Sequence, residues 1–233
     1  MIELIKTMIF PHTCPVCGTI VDGIKLCKDC KDEIKLVGDR SCITCGKILA
    51  DNRKSICDKC RTHTFSFDKN ISVFAYEGKM KEVIYRFKYA NFRVFSEYIA
   101  QIASEEYGAT FKAMKIDAIV PVPMYKKKQR KRGYNQACEI ASSLARSTGI
   151  KYMPKALVRL RDTRPMKNLS DTQRYENLKG AFGVDAKRLE GCKTVLLVDD
   201  IFTSGSTLDA CARVLKKAGI EKVIGLCAAT GRE

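Results

Sequence analysis

From residue 71 onward the chain alternates two apolar periodicities. Residues 71–76 form a short β-branched and aromatic run that reads as a strand. Met80, Val83, Ile84 and Phe87 then recur at helical spacing, as do Phe95, Tyr98, Ile99 and Ile102. Residues 116–122, IDAIVPV, predict a strand buried on both faces, and Ala137, Ile140, Ala141 and Leu144 share one face of a helix over 135–146. A short strand is expected at 156–160. The clearest strand is 194–199, TVLLVD, followed by a helix marked by Leu208, Cys211, Leu215 and Ala218, with Gly219 placed to end it. Residues 222–228 close with a further strand. Continuous apolar strands separated by amphipathic helices imply an α/β fold with a mainly parallel sheet covered on both faces. Ligands in such sheets bind beyond the carboxyl ends of the strands. Residues 159–182 are polar and read as a connection of roughly 20 residues, a length that carries function or mobility in a compact domain.

The first 62 residues follow a different pattern. They are poor in apolar residues and carry eight cysteines as four C-x-x-C pairs: Cys14/Cys17, Cys27/Cys30, Cys42/Cys45 and Cys57/Cys60. A C-x-x-C turn aims both sulfurs at one centre, and two such knuckles complete a tetrahedral zinc site. Sequential pairing, with one hairpin per zinc, suits the spacings better than a crossed arrangement in which the first knuckle joins the third. Two structural zinc ions would then supply the folding free energy of this segment. The expected division is a double zinc ribbon over 1–62 and an α/β domain over 63–233. Cys138, Cys192, Cys211 and Cys227 show no ligand spacing and read as small buried hydrophobes. Eight thiolates complete two sites, so His12 and His63 are not assigned as ligands.

Composition adds a bias toward anions. The net charge is +16, and residues 1–62 hold 11 basic and 8 acidic side chains, so residues 63–233 carry 31 and 18, a net of +13. No apolar run approaches the ~20 residues of a membrane span, so no membrane insertion is expected. The segment before Cys14 does not read as a signal peptide, since Glu3 and Lys6 interrupt it. No histidine follows His63, which excludes Ser/His and Cys/His triads in the larger domain.

The strongest chemistry follows the strongest strand. Asp199 and Asp200 precede Thr203, Ser204, Gly205, Ser206 and Thr207, a hydroxyl-rich turn leading into a helix. Backbone amides converging at such a helix start hold a phosphate. The adjacent carboxylates accept hydrogen bonds from sugar hydroxyls or ligate Mg²⁺. Phosphate cradle and carboxylate pair together describe a site for a phosphorylated sugar. The triphosphate and dinucleotide loop motifs are absent.

Residues 195–207 resemble the signature for phosphoribosyl pyrophosphate (PRPP) in type I phosphoribosyltransferases. That resemblance implies that Asp199 and Asp200 hold the ribose hydroxyls and that residues 203–207 cradle the 5-phosphate. The chain is similar from end to end to the ComF family: cysteine knuckles, the segment Arg86-Phe87-Lys88-Tyr89, VPVP at 120–123, Arg132-Gly133-Tyr134-Asn135-Gln136, and the PRPP signature. It implies a type I phosphoribosyltransferase-like fold behind a double zinc ribbon, and a cytoplasmic role linked to natural competence and uptake of single-stranded DNA.

Two further segments face anions. Lys126, Lys127, Lys128, Arg130, Lys131 and Arg132 follow a strand end, where the family's pyrophosphate loop would sit; Gly133 permits close backbone approach. One reading brings Arg132 to pyrophosphate, with Lys126, Lys127 and Lys128 the better candidates for DNA; the other is a solvated basic face. In 159–182, where the family has a flexible hood, Arg164, Lys167 and Arg174 would reach the pyrophosphate, while Met166 stands where relatives often have Gln. A variable base-recognition hood is expected within 63–115. Two functions compete: PRPP·Mg²⁺-dependent phosphoribosyl transfer to an unidentified acceptor, and a non-catalytic DNA-binding or interaction protein of the uptake machinery that retains a PRPP or nucleotide site.

Overall fold

The protein is described here by a computed structural model covering residues 12–51, 53–164 and 169–233. Five parallel strands form the central sheet in the order β1-β7-β6-β2-β3. They are β1 (Lys69–Ala75), β2 (Ala118–Pro121), β3 (Lys151–Tyr152), β6 (Thr194–Phe202) and β7 (Lys222–Thr230). The apolar run of β6 occupies the centre, and residues 195–198 are wholly buried between β2 and β7. Successive side chains alternate faces. Leu196 and Val198 join the cluster beneath α3 (Lys79–Tyr89), α4 (Phe95–Ala113) and α6 (Gln136–Thr148), whereas Val195 and Leu197 join the cluster beneath α8 (Ser206–Lys217). The α/β expectation and the predicted helical faces hold: Met80, Val83, Ile84 and Phe87 are buried on α3, and Leu208, Cys211 and Leu215 on α8.

Three expectations need correction. The strand at 156–160 becomes β4 (Leu157–Arg159), which pairs antiparallel with β5 (Phe182–Val184) outside the parallel sheet. The connection over 159–182 contains α7 (Asp171–Leu178). Ser170 Oγ accepts the Gln173 amide and Gln173 Oε1 accepts the Ser170 amide, so a capping box starts a helix where the polar composition suggested none. Residues 63–115 are not a separate hood: β1 is the edge strand of the sheet, and α4 packs on α6.

The cysteine segment is built into this framework. Its short helices α1 (Lys28–Glu33) and α2 (Asp58–Thr62) each begin next to a knuckle cysteine. Cys14, Val16, Leu26, Cys30 and Ile34 share the α3–α4 cluster, while Cys42, Cys45, Leu49 and Cys57 share the α8 cluster, so the two ribbons cover opposite faces of the sheet. Between them the chain pairs with β1: the Val37 amide donates to Val73 O, the Ala75 amide to Lys35 O and the Asn70 amide to Thr44 O. Asn70 Nδ2 also donates to Cys45 O at 2.9 Å. Among the described residues no helix is long and apolar enough to cross a membrane.

Candidate functional site

At the carboxyl ends of β2 and β6 lies a cleft of about 760 Å³. β6 delivers Asp199 and Asp200 to it, the turn after β6 adds Thr203, and the first turn of α8 adds Thr207. Gly205 makes the turn possible. Its φ is +82°, and a Cβ there would come within 2.8 Å of the Phe65 ring and 2.9 Å of the Phe202 ring, so both backbone and packing demand glycine. Ser204 and Ser206 are not among the residues lining the cleft, and their hydroxyls are 2.9 Å apart.

The opposite wall comes from α3 and from α5 (Lys126–Arg132), which contribute Lys88, Tyr89, Lys128, Lys131 and Arg132. Three motifs that are remote in sequence meet here. The carbonyl of Phe87 accepts hydrogen bonds from the Tyr134 hydroxyl and from Gln136 Nε2, while Asn135 Nδ2 donates to Val122 O at 2.9 Å. The last turn of α3 is thereby pinned to the start of α6, and Lys88 is directed at the acid pair: its Nζ lies 2.8 Å from Asp200 Oδ2, with side-chain exposures of 21% and 17%. Arg132 donates to Gln136 Oε1 and stacks over the Tyr89 ring at 5.1 Å. Gly133 does not line the cleft. It sits at φ +89° and closes the C-terminus of α5, its amide donating to Gln129 O.

The electrostatics separate the two acids. Burial, and then the neighbouring Asp200 carboxylate, push Asp199 up to about 7, against the opposing pull of the Asp200 amide, which it accepts at 2.8 Å, and of Lys88 and Arg159. Burial works against the Lys88 ammonium, but Asp200 and then Asp199 outweigh it and raise its pKa. Arg159, on β4, also lines the cleft. Its guanidinium lies over the Phe182 ring, donates to Thr163 Oγ1 and keeps a buried Nε with no acceptor. Burial lowers its pKa. Lys88 and Arg159 were not assigned roles from sequence: they arrive from elements far from 199–200, and only the Arg86–Tyr89 segment hinted at the first.

Other expected residues fall elsewhere. Arg164 is exposed and outside the cleft lining, its backbone exchanging hydrogen bonds with the Asn177 amide group. Arg174, on α7, is also outside the lining, and Lys167 and Met166 lie outside the described residues. Lys128 is exposed but lines the cleft, bonded to Asp162 and to Thr163 O at 2.8 Å each, whereas Lys126, Lys127 and Arg130 are exposed and outside the lining.

The eight knuckle cysteines gather sequentially: Cys14, Cys17, Cys27 and Cys30 in one cluster, and Cys42, Cys45, Cys57 and Cys60 in the other, with ligand atoms within 4.8 Å of one another. Tetrahedral zinc requires about 3.8 Å between sulfurs for bonds near 2.3 Å. Cys17 and Cys27 are 3.5 Å apart and Cys45 and Cys57 3.6 Å, a donor set and spacing that fit the ion. The Cys57 amide donates to Cys42 Sγ at 3.4 Å, supporting the thiolate. The crossed pairing is excluded.

Residues 5–65 match the double zinc ribbon domain model and residues 95–233 the phosphoribosyl transferase domain model. The fold and both zinc centres therefore define a phosphoribosyltransferase-type protein with an N-terminal double zinc ribbon. Competence protein F of Haemophilus influenzae is 32% identical over 202 residues, covering 85% of this chain and 87% of that protein. Competence protein ComFC of Bacillus subtilis is 31% identical over 206 residues, covering 84% and 79%. The DNA utilization protein YhgH of Escherichia coli is 25% identical over 189 residues, covering 80% and 82%. The chain belongs to the competence protein F/ComFC family. Among solved structures, an adenine phosphoribosyltransferase aligns over 64% of this chain and 75% of its own, with 16% identity and a TM-score of 0.41.

Proposed function

We propose that the cleft binds PRPP and that the protein transfers its phosphoribosyl group to a nitrogen acceptor in the handling of incoming DNA. The observation carrying this reading is one cleft lined by Asp199, Asp200, Thr203, Thr207 and Arg132. The 203–207 loop, at the start of α8, takes the 5-phosphate on backbone amides and hydroxyls. Asp199 and Asp200 take the ribose hydroxyls. Arg132, Lys131 and Arg159 face the charge that develops on departing pyrophosphate, so positioning and electrostatics carry the catalysis. Two hard carboxylate oxygens suit Mg²⁺, but two groups alone do not cage it, which fits an ion held chiefly by the substrate's pyrophosphate, whose charge it would neutralise. The DNA context is supported by the names of the relatives, competence and DNA utilization proteins.

A second reading, DNA binding without catalysis, is favoured by the outward Lys126, Lys127 and Arg130 and by the neighbouring pair Tyr85 and Tyr89, each 63% exposed with ring centroids 5.0 Å apart. Phosphate-binding cations beside exposed rings suit a single strand. Calorimetric titration with PRPP and Mg²⁺, followed by assay of pyrophosphate release with free bases, separates the two. Binding with release supports transfer, binding without release supports the second reading, and absence of PRPP binding overturns the assignment of the cleft.

A further inference from the structure

A second cavity, of about 480 Å³, lies between α2 of the second ribbon, α7 and the first turns of α8. The 203–207 loop belongs to both cavities, with Thr203 and Thr207 in the cleft and Ser206 in this wall. Its chemistry differs from the cleft's. Among the described residues its lining holds no acid pair. Among the described lining residues the one carboxylate is Asp209, whose side chain is only 6% exposed and is occupied by Arg213 and by the Ser66 amide at 2.6 Å. Lys179 and Lys59 line the same space, beside the Arg213–Asp209 ion pair.

The remaining wall is aromatic. His63 stands edge-on to Phe65, with centroids 4.6 Å apart, and Tyr175 is 45% exposed with the Arg213 guanidinium 4.8 Å over its ring. Cations without rings would suit an inorganic anion, and rings without cations a neutral metabolite. Both together suit a flat base carrying a phosphate: the base stacks on Tyr175 and His63, and the phosphate meets Lys179. The volume falls in the range of small-molecule sites.

We infer that this cavity is a second binding site for a nucleotide unit, a base with its phosphate, taken from a free nucleotide or from one residue of a single strand. The site is coupled to the loop of the first. Ser206 Oγ is 2.9 Å from Ser204 Oγ, and Gly205 between them lies against Phe65, which lines the second cavity. A ligand seated on that wall fixes the loop. On the reading that residues 203–207 hold the PRPP 5-phosphate, it changes PRPP affinity, and PRPP changes its affinity by the same factor.

The test titrates the zinc-loaded full chain with AMP, with dTMP and with a labelled 12-residue oligo-dT. Tyr175→Ala is expected to weaken binding at least about tenfold, the worth of one stacked base, while Tyr175→Phe retains it and shows that the ring rather than a lost fold is responsible. Asp199→Asn/Asp200→Asn is expected to leave nucleotide binding within twofold. Loss of AMP or dTMP binding in Tyr175→Ala identifies free nucleotide as a source, and loss of oligo-dT binding identifies the strand. The inference is overturned if none of the probes binds, if Tyr175→Ala binds as the unmodified chain does, or if the Asn pair abolishes binding and so places the nucleotide in the cleft. A chain that binds AMP but not PRPP would overturn the PRPP assignment and leave this site standing.

Discussion

Replacing Asp199 by Asn tests the site through stability as well as binding. In the folded chain burial and Asp200 hold Asp199 near 7, against an ordinary value of 3.8. The folded form therefore retains a proton that the unfolded form has lost between these values, and stability falls as pH rises through that window. The loss is complete above the folded pKa. From pH 5 to pH 8 it amounts to about 3 kcal/mol, from 1.36 kcal/mol for each unit between 5 and 7. Asn cannot titrate, yet its Oδ1 can still accept the Asp200 amide. The variant should thus match the wild type most closely at pH 5 and gain on it by about 3 kcal/mol at pH 8, roughly 6–12 °C in Tm for a chain of this size. Thermal melts of the zinc-loaded proteins at pH 5, 6, 7 and 8 measure this. A difference between variant and wild type that stays constant across the series would refute the buried, proton-holding Asp199. Calorimetry on the same samples should show that the more stable variant has lost PRPP·Mg²⁺ binding, the expected cost of a site residue held against its own stability.

Arg159→Gln should weaken PRPP binding at least about tenfold while lowering stability by only about 1 kcal/mol, because it loses the Thr163 hydrogen bond and the Phe182 contact but also removes a buried Nε that has no acceptor; unchanged affinity by calorimetry counts against a role in the cleft. Gly205→Ala combines a left-handed backbone with a Cβ in contact with Phe65 and should cost about 2–4 kcal/mol, and a melting temperature within 2 °C of wild type would contradict that crowding. Metal analysis should find two zinc ions per chain, and Cys57→Ser should lower the melting of the whole chain in one transition, since Cys57 shares a core cluster with β6 and α8; a separate early transition would show an autonomous ribbon. Changing Lys126, Lys127 and Arg130 to Ala should reduce the slope of log K against log salt for a single strand by about 2, at roughly 0.7 per contact, and an unaltered slope would place DNA elsewhere.

What the sequence revealed was local. The acid pair, the hydroxyl-rich turn and the helix after it are consecutive, so strand, turn and cap are legible in 13 residues, 195–207. The C-x-x-C pairs were equally explicit, because ligand spacing encodes the metal geometry directly. Lys88 and Arg159 were not legible as site residues, since only tertiary packing brings α3 and β4 to the end of β6. The direction of β4 was hidden for a similar reason: a three-residue apolar run carries no information about whether its partner is parallel or antiparallel. The helix at 171–178 had a signal, the spacing of Ser170 and Gln173, but its polar surface concealed it beside stronger apolar periodicities. Lys128 looks in sequence like a member of a uniform basic run, but Asp162 and Thr163 hold it at the cleft.

The ribbon segment's pairing with β1 gives zinc a further consequence. A sheet ending in an uncovered strand offers a row of free amides and carbonyls to any other extended chain. Here the outer rim of β1 is occupied by backbone from residues 35–44, which runs from the end of the first ribbon into the first knuckle of the second metal centre. Chelation would unfasten that cover and bare a seven-residue strand of which six residues are buried. The metal-free protein should therefore assemble through its sheet edge, so that zinc acts as a guard against self-association as well as a fold-forming ion.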